Sequence, residues 1–181
     1  MRRSYILFFC VCILSCEYED SNPNQFTGTA SALKNGQEWK CGIRMGQNSQ
    51  YKNSLYLDGM VLNSGGNAIE DFGIGKIGKN LRRQAIHIYS YGIAIDNDST
   101  ELSYATIIDG DAVGDIYDVD TTQTCNFIQL TKIDLKRKEV EGVFNVTLIL
   151  SRNANGGPPA PVQLKFTRGT FKSQIDPKWF K

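Results

Sequence analysis

The sequence has little histidine, no long apolar run and no excess charge of either sign. His87 is the only histidine among 181 residues, so no two-histidine metal site can form. A Ser-His-Asp triad would have to use His87, and the Gly-x-Ser-x-Gly turn that presents such a serine is absent. With 20 basic and 19 acidic residues the net charge is +1, which offers no basic field for nucleic acid.

The apolar segment at the N terminus has the order of a secretion signal. Arg2 and Arg3 precede the apolar residues 5–14, and the small residue Ser15 follows. A helix over residues 5–14 would rise about 15 Å, roughly half of a bilayer's hydrocarbon core. We therefore expect residues 1–15 to be a signal peptide that directs export and not a membrane-spanning helix.

Residues 13–16, "ILSC", resemble the lipobox of bacterial lipoproteins, and an ordinary signal peptide is the alternative. The resemblance implies that Cys16 is acylated and becomes the first residue of the mature chain, anchoring it to a membrane. Residues 16–25 then form the lipidated cysteine and a flexible polar tether. The acidic pair Glu19 and Asp20 is similar to an export signal of Bacteroidetes lipoproteins, which implies the outer membrane, on its periplasmic or cell-surface face.

Residues 26–181 have the length of one domain and a period-two pattern of apolar residues. The pair Asn35 and Gly36 predicts a tight hairpin, and in residues 139–150 one face is apolar and the other polar. Repeated short strands and turns predict an all-β fold, an antiparallel β-sandwich or, as the alternative, a partly open β-barrel. Cys41 and Cys125 are the two cysteines of this body, and a disulfide between them is allowed but not required.

Several motifs occur in the order found in a group of uncharacterised Bacteroidetes lipoproteins. They are "FTGTASALKNGQEWKC", "YATIIDGD", "IYDVD" and "EVEGVFNVTLIL…PVQLKFTRGTF". The chain resembles this family over nearly its whole mature length. The resemblance implies an all-β lipoprotein of the cell surface or periplasm and brings no assigned activity or catalytic residue.

The glycines of "GIGKIG", Gly73, Gly75 and Gly78, match the spacing of a dinucleotide-binding loop. That motif requires a following helix whose N-terminus meets the pyrophosphate, and here a Tyr- and Ile-rich strand pattern follows. A glycine-rich strand is the better interpretation, so no cofactor is expected from this motif.

Two acidic stretches are weak candidates for calcium, because clustered carboxylates can supply its oxygen ligands. Solvated turns are the simpler interpretation, since Asp favours turns. The same acids would have to supply the carboxylate pair of a hydrolase, but nothing singles out such a pair. The calcium candidates are Asp96, Asp98, Glu101, Asp109, Asp111 and Asp115.

These patterns support three functional hypotheses. The first is a lipid-anchored, non-enzymatic envelope protein that binds or presents a partner, and the second is a glycan-binding module of a polysaccharide-uptake system. A carboxylate-based hydrolase is third. Outward aromatic rings could stack on sugars, although Trp39 alternates with core residues. The aromatic set is Trp39, Tyr51, Tyr56, Tyr89, Tyr91, Tyr104, Tyr117 and Trp179.

Overall fold

The computed structural model describes residues 26–47, 53–88, 99–154 and 159–176. Regular structure in these residues consists of strands, as the period-two pattern predicts. The ten strands are β1 Gly28–Lys34, β2 Gln37–Gly46, β3 Ser54–Leu62, β4 Ala68–Gly78, β5 Gln84–Ile88, β6 Thr100–Ile108, β7 Ala112–Val119, β8 Phe127–Asp134, β9 Glu139–Arg152 and β10 Gln163–Gln174.

The strands form one sheet that returns on itself. Neighbours run in the order β10, β1, β2, β3, β4 and β6, and β10 also pairs with β9. Two routes join β6 back to β9, one through β7 and the other through β5 and β8. Among the described strands the pairings are antiparallel, except that β5 runs parallel to β6. The predicted all-β class is confirmed, with a closed course of pairing that is barrel-like.

One face of the sheet encloses the core and the other meets solvent. In β9, Val140, Phe144, Val146 and Leu148 are buried in the core, while Glu141 on the opposite face is half-buried. The same alternation runs through most of the strands, as a period of two residues predicts, although β4, β6 and β9 each contain three consecutive buried residues. The largest fully buried side chains are Tyr104, Tyr117, Phe72, Phe144, Phe166, Ile43, Met45, Leu55, Leu57, Ile74, Ile77 and Leu102.

The two ends of the sheet differ in the connections they carry. The β1–β2, β3–β4 and β6–β7 turns lie at one end, which we call the hairpin end. The start of β1, the β4–β5 loop and the β8–β9 turn lie at the other, which we call the N-terminal end. The predicted Asn35-Gly36 hairpin is confirmed at the hairpin end: both residues have positive φ, 51° and 83°.

A loop fills the fork between the two routes from β6 to β9. Near the hairpin end β7 lies beside β9, and near the N-terminal end β8 does. In the gap, the Asp120 amide donates to the Thr147 carbonyl at 2.9 Å, and Asn126 Oδ1 accepts from the Thr147 amide at 2.8 Å. Asn126 Nδ2 donates to the Asp120 carbonyl at 2.7 Å. The side chain of Asn126 thus replaces a neighbouring strand at this point of β9.

Candidate functional site

Aromatic rings fill the interior of the sheet. Tyr104 contacts Tyr117 and Phe166 with ring centroids 5.6 and 5.5 Å apart, and Trp39 contacts Phe166 at 5.0 Å. Edge-on contacts of this kind are the usual packing of buried aromatics. The two cavities described next both lie on the outer face, where β1, β2, β3, β8, β9 and β10 turn their other side chains toward solvent.

The first cavity, about 470 Å³, lies over β1, β2 and β3. Phe26, Met60 and Leu62 give it an apolar lining, and Lys40 adds an ammonium group. The ring of Phe26 lies directly on the backbone of Gly42, where a Cβ would be 2.2 Å from the ring. Gly42 is therefore required for Phe26 to form this wall.

The second cavity, about 300 Å³, lies over β8, β9, β10 and β1 and shares Thr29 and Ser31 with the first. Ser31 Oγ lies 3.0 Å from Thr170 Oγ1, so a pair of hydroxyls marks the boundary between the two cavities. Because Thr29 and Ser31 line both, the two cavities lie next to each other across six neighbouring strands, and we call them together the outer trough. At about 4.8 Å between strands, it runs about 24 Å along the sheet.

An ion pair borders the second cavity of the outer trough. Lys172 Nζ lies 3.1 Å from Glu141 Oε1, and Lys132 Nζ lies 3.6 Å from the same oxygen. The hydrogen bond from Lys172 and the charges of both lysines hold the pKa of Glu141 below its usual range. With the hydroxyls of Thr29, Ser31, Thr131 and Thr170, the trough presents many donors and acceptors beside an apolar surface.

Two carboxylates lie on the outer face next to the first cavity. Asp71 on β4 is opposite Met60 on β3, and Asp58 on β3 is opposite Gly73 on β4. Such diagonal neighbours are about 7–8 Å apart. Burial, and then the charge of Asp58, raise the pKa of Asp71 to about 6. Burial also raises the pKa of Asp58, while Arg44 opposes the rise.

A second polar group, which the sequence did not reveal, lies at the hairpin end of the core. Glu70 accepts hydrogen bonds from Lys34 Nζ and from Trp39 Nε1, the latter at 2.7 Å. Lys34 Nζ also donates to the Tyr104 hydroxyl at 3.1 Å. Burial, and then the charge of Glu70, raise the pKa of Tyr104 far above its usual range. The donors and acceptors satisfy one another, so this network is structural.

The described calcium candidates do not converge on one site. Glu101 is buried and pairs with Lys76 Nζ at 2.7 Å, at the start of β6. Asp109 and Asp111 lie in the β6–β7 turn beyond the other end of β6, and Asp115 accepts a hydrogen bond from the Ala154 amide. Asp96 and Asp98 are outside the described residues. Within the described part of the chain, no group of three metal-ligating side chains was found. Calcium binding stays a prediction.

The two cysteines of the body are free and lie in different environments. Cys41 is buried on β2 and Cys125 is exposed in the loop between β7 and β8. Burial raises the pKa of the Cys41 thiol to about 12. The disulfide that the sequence allows is therefore not formed in this structure.

The remaining sequence candidates are spread over the sheet. Gly73, Gly75 and Gly78 lie inside β4, as the strand interpretation of "GIGKIG" predicts. His87 is exposed on β5. Of the aromatic set, the interior holds Trp39, Tyr104 and Tyr117, Tyr56 is half-buried on the outer face, and Tyr51, Tyr89, Tyr91 and Trp179 are outside the described residues.

The fold and the trough define an all-β domain with an elongated, solvent-open trough on the outer face of its sheet. Comparison with known protein families, with curated proteins and with solved structures finds no significant match to the chain. A search of the described residues finds no helix that is long and apolar enough to cross a bilayer.

Proposed function

We propose that this protein is a non-enzymatic binding protein of the bacterial outer membrane, anchored by lipid on Cys16, whose outer trough holds an extended glycan. The observation that carries the ligand class is that the two cavities adjoin at Thr29 and Ser31, side by side on one face of the sheet. A long, shallow, hydroxyl-rich surface suits a flexible chain of sugars better than a compact molecule. The lipobox resemblance supports the anchor.

The chemistry of the trough supports carbohydrate as its ligand. Sugar hydroxyls both donate and accept hydrogen bonds, and Ser31, Thr170 and Glu141 supply both kinds of partner. The Phe26 ring and Met60 offer apolar surface for the C–H faces of a pyranose. The first cavity also has the volume typical of small-molecule sites, about 300–1,000 Å³.

The setting of the outer-face acids supports a role without catalysis. Asp58 and Asp71 lie on an open sheet face and not on two walls that would flank a scissile bond. The hydroxyls of Ser31 and Thr170 contact each other, and the one histidine lies on β5, outside the six strands of the trough. Glu141 is the carboxylate of the described lining, and its ion pairs with Lys172 and Lys132 make it a weaker general base for a trough hydroxyl.

The test is the melting temperature of the mature chain against a panel of host and plant glycans, each with calcium and with EDTA. A ligand at 100 times its Kd should add about 2.7 kcal/mol to the free energy of unfolding, a shift of several degrees. Thr170→Trp should fill the trough and abolish the shift. Thr167→Trp is the matched control, because Thr167 is also an exposed threonine of β10 but lies outside the lining of both cavities.

Each other outcome counts against one part of the proposal. If no glycan shifts the melting temperature, or if Thr170→Trp and Thr167→Trp respond alike, the trough is not a glycan site. Release of new reducing ends from a bound glycan would contradict the non-enzymatic part. A shift that is lost in EDTA would show that calcium takes part in binding.

A further inference from the structure

Two exposed leucines project from the N-terminal end of the sheet. Leu81, in the β4–β5 loop, is 53% exposed, and Leu135, in the β8–β9 turn, is 61% exposed. Each is the only large apolar residue of its connection, in the sequences "KNLRR" and "DLKRK". We call these two connections the basic tips.

The cations of the basic tips outnumber the acids. Arg82, Arg83, Lys136, Arg137 and Lys138 are all exposed. Asp134 is the acid of the tips, and its Oδ1 accepts hydrogen bonds from the amides of Lys136 and Arg137. Asp134 Oδ2 also lies 3.9 Å from Arg137 Nε, while Lys136 and Lys138 are exposed. Leucine between cations is the composition of segments that lie in a membrane interface.

The chain reaches the folded domain close to one of these tips. The Gln174 amide donates to the Thr27 carbonyl at 3.0 Å, and the next amide, that of Ile175, donates to the Lys138 carbonyl at 2.7 Å. The end of β10 thus lies between Thr27 and the β8–β9 turn. Thr27 and this turn are therefore two strand spacings, or about 10 Å, apart. A tether that starts at a membrane-embedded Cys16 would therefore arrive beside the β8–β9 turn, one of the two basic tips.

The β6–β7 hairpin at the opposite end of the sheet is acidic. Residues 106–119 contain four Asp and no Lys or Arg, although Arg152 of β9 lies opposite Ile116 of β7. Ile108 and Val113 are exposed there, 43% and 54%, so apolar side chains alone do not distinguish the two ends. The two ends differ in the sign of the charged residues next to these apolar side chains.

We propose that the N-terminal end is a membrane-contact surface, in which Leu81 and Leu135 enter the interface of the anchoring leaflet while the basic tips bind its anionic phospholipid headgroups. This inference rests on the lipid anchor of the proposed function for its biological setting. It orients the domain with the acidic hairpin end away from the bilayer. The outer trough, which runs across the strands of the side wall, then stays open to a ligand.

The test uses the mature chain, residues 16–181, with Cys16→Ser, so that no acyl chain contributes and the outcome does not depend on lipidation or on the trough. This chain retains all ten strands. We expect it to sediment with phosphatidylcholine vesicles that contain phosphatidylglycerol, not with phosphatidylcholine alone, and to be released by high salt because surface charges are screened.

Two sets of substitutions locate the contact. Replacing Leu81 and Leu135 by Ser, or Arg82, Lys136 and Lys138 by Gln, should lower vesicle binding by at least about tenfold. The matched control replaces Ile108 and Val113 by Ser at the hairpin end and should bind as the parent does. All five positions of the tip variants are exposed, and their melting temperatures confirm that each is folded.

Three outcomes would overturn the inference. One is absence of vesicle binding by the parent chain, and a second is equal loss of binding in the tip and hairpin-end variants. The third is that the tips mediate self-association, seen as an oligomer in light scattering that the tip substitutions dissociate while vesicle binding is unchanged. In that case the basic tips contact a second copy of the chain and not lipid.

Discussion

Asp71 is a residue whose ionisation opposes folding. Its pKa in the folded protein is about 6, above the usual value near 4, because burial on the outer face disfavours the charged form. Between these two values the folded state binds more protons than the unfolded state. The free energy of unfolding therefore falls as the pH rises from about 4 to about 6, and the cost is fully present at neutral pH.

We predict that Asp71→Asn stabilises the protein at neutral pH and removes this pH dependence. The amide keeps an acceptor for the Phe72 backbone hydrogen bond but carries no charge. After allowance for partial solvent screening, the gain should be about 1–2 kcal/mol above about pH 7 and near zero below pH 4. Urea unfolding across this pH range measures it.

Asp111→Asn is the control for this prediction. Asp111 is exposed in the β6–β7 turn, so the same chemical change there should alter the free energy of unfolding at neutral pH by well under 1 kcal/mol. Equal stability of Asp71→Asn and the parent at neutral pH would show that Asp71 is not desolvated in the folded protein.

At the residue level, the sequence predicts side-chain direction well and side-chain partners poorly. The alternation in residues 139–150 correctly places Phe144 inside and Asn145 outside, because a period of two residues is a local property. Glu70 lies two residues before Phe72 in β4, so both side chains are on the inward face of the sheet. A charged residue is not expected on that face. Only the pairing of distant strands brings Lys34 and Trp39 to its carboxylate.

Among the elements, the fork loop between β7 and β8 determines whether β9 keeps its hydrogen bonds along its whole length. Asn126 is buried, and its side chain accepts from the Thr147 amide and donates to the Asp120 carbonyl. Without this amide, the Thr147 N–H would be buried next to a gap between strands, whereas the Asp120 carbonyl would keep the hydrogen bond from the Gln123 amide at 3.1 Å. Buried polar groups without partners are costly.

We predict that Asn126→Ala lowers the free energy of unfolding by roughly 1–3 kcal/mol, since the buried Thr147 amide loses its partner. Urea unfolding followed by far-ultraviolet circular dichroism gives the value. Asn153→Ala, in the exposed loop after β9, removes the same side chain at the surface and should cost well under 1 kcal/mol. Similar costs for the two variants would mean that Asn126 does not close the fork.

The fork also shows why part of the element arrangement was not predictable. The Asn35-Gly36 hairpin follows from two adjacent residues whose backbone preferences suffice. The acidic residues near Asp120 predict turns, but not that Asp120 itself is buried beside β9. Glu101 was a calcium candidate by its acidic neighbours, and the pairing of β4 with β6 instead places it against Lys76. Both outcomes depend on pairing between strands that are not consecutive in the sequence.

For the whole molecule, closure of the sheet separates the outer trough, the basic tips and the acidic β6–β7 hairpin from one another. The interior is filled with aromatic rings, so ligands must bind outside it. The outer trough lies on the side wall, the basic tips lie at the N-terminal end, and the acidic β6–β7 hairpin lies at the opposite end. A lipid on Cys16 would bring the basic end to the bilayer, so the proposed orientation depends on that modification.

The last prediction concerns the anchor itself. Cys16→Ser should abolish incorporation of labelled fatty acid and leave residues 1–15 uncleaved, because the cysteine thiol is the site of acylation that the lipobox resemblance implies. Cys10→Ser and Cys12→Ser are matched controls, since each removes a nearby thiol that follows a bulky residue, and both should be lipidated normally. Mass spectrometry of the mature N-terminus measures all three.

Membrane anchoring by the acyl chains can be distinguished experimentally from membrane contact by the basic tips. Two or more acyl chains, at about 0.8 kcal/mol per buried CH₂, should hold the parent chain in the membrane fraction through a high-salt wash, whereas a contact by Lys and Arg alone is released. Fatty-acid label that persists in Cys16→Ser, or a mature chain beginning elsewhere, would refute the anchor. Binding of the unlipidated mature chain to anionic vesicles would still stand, as a property of the folded domain.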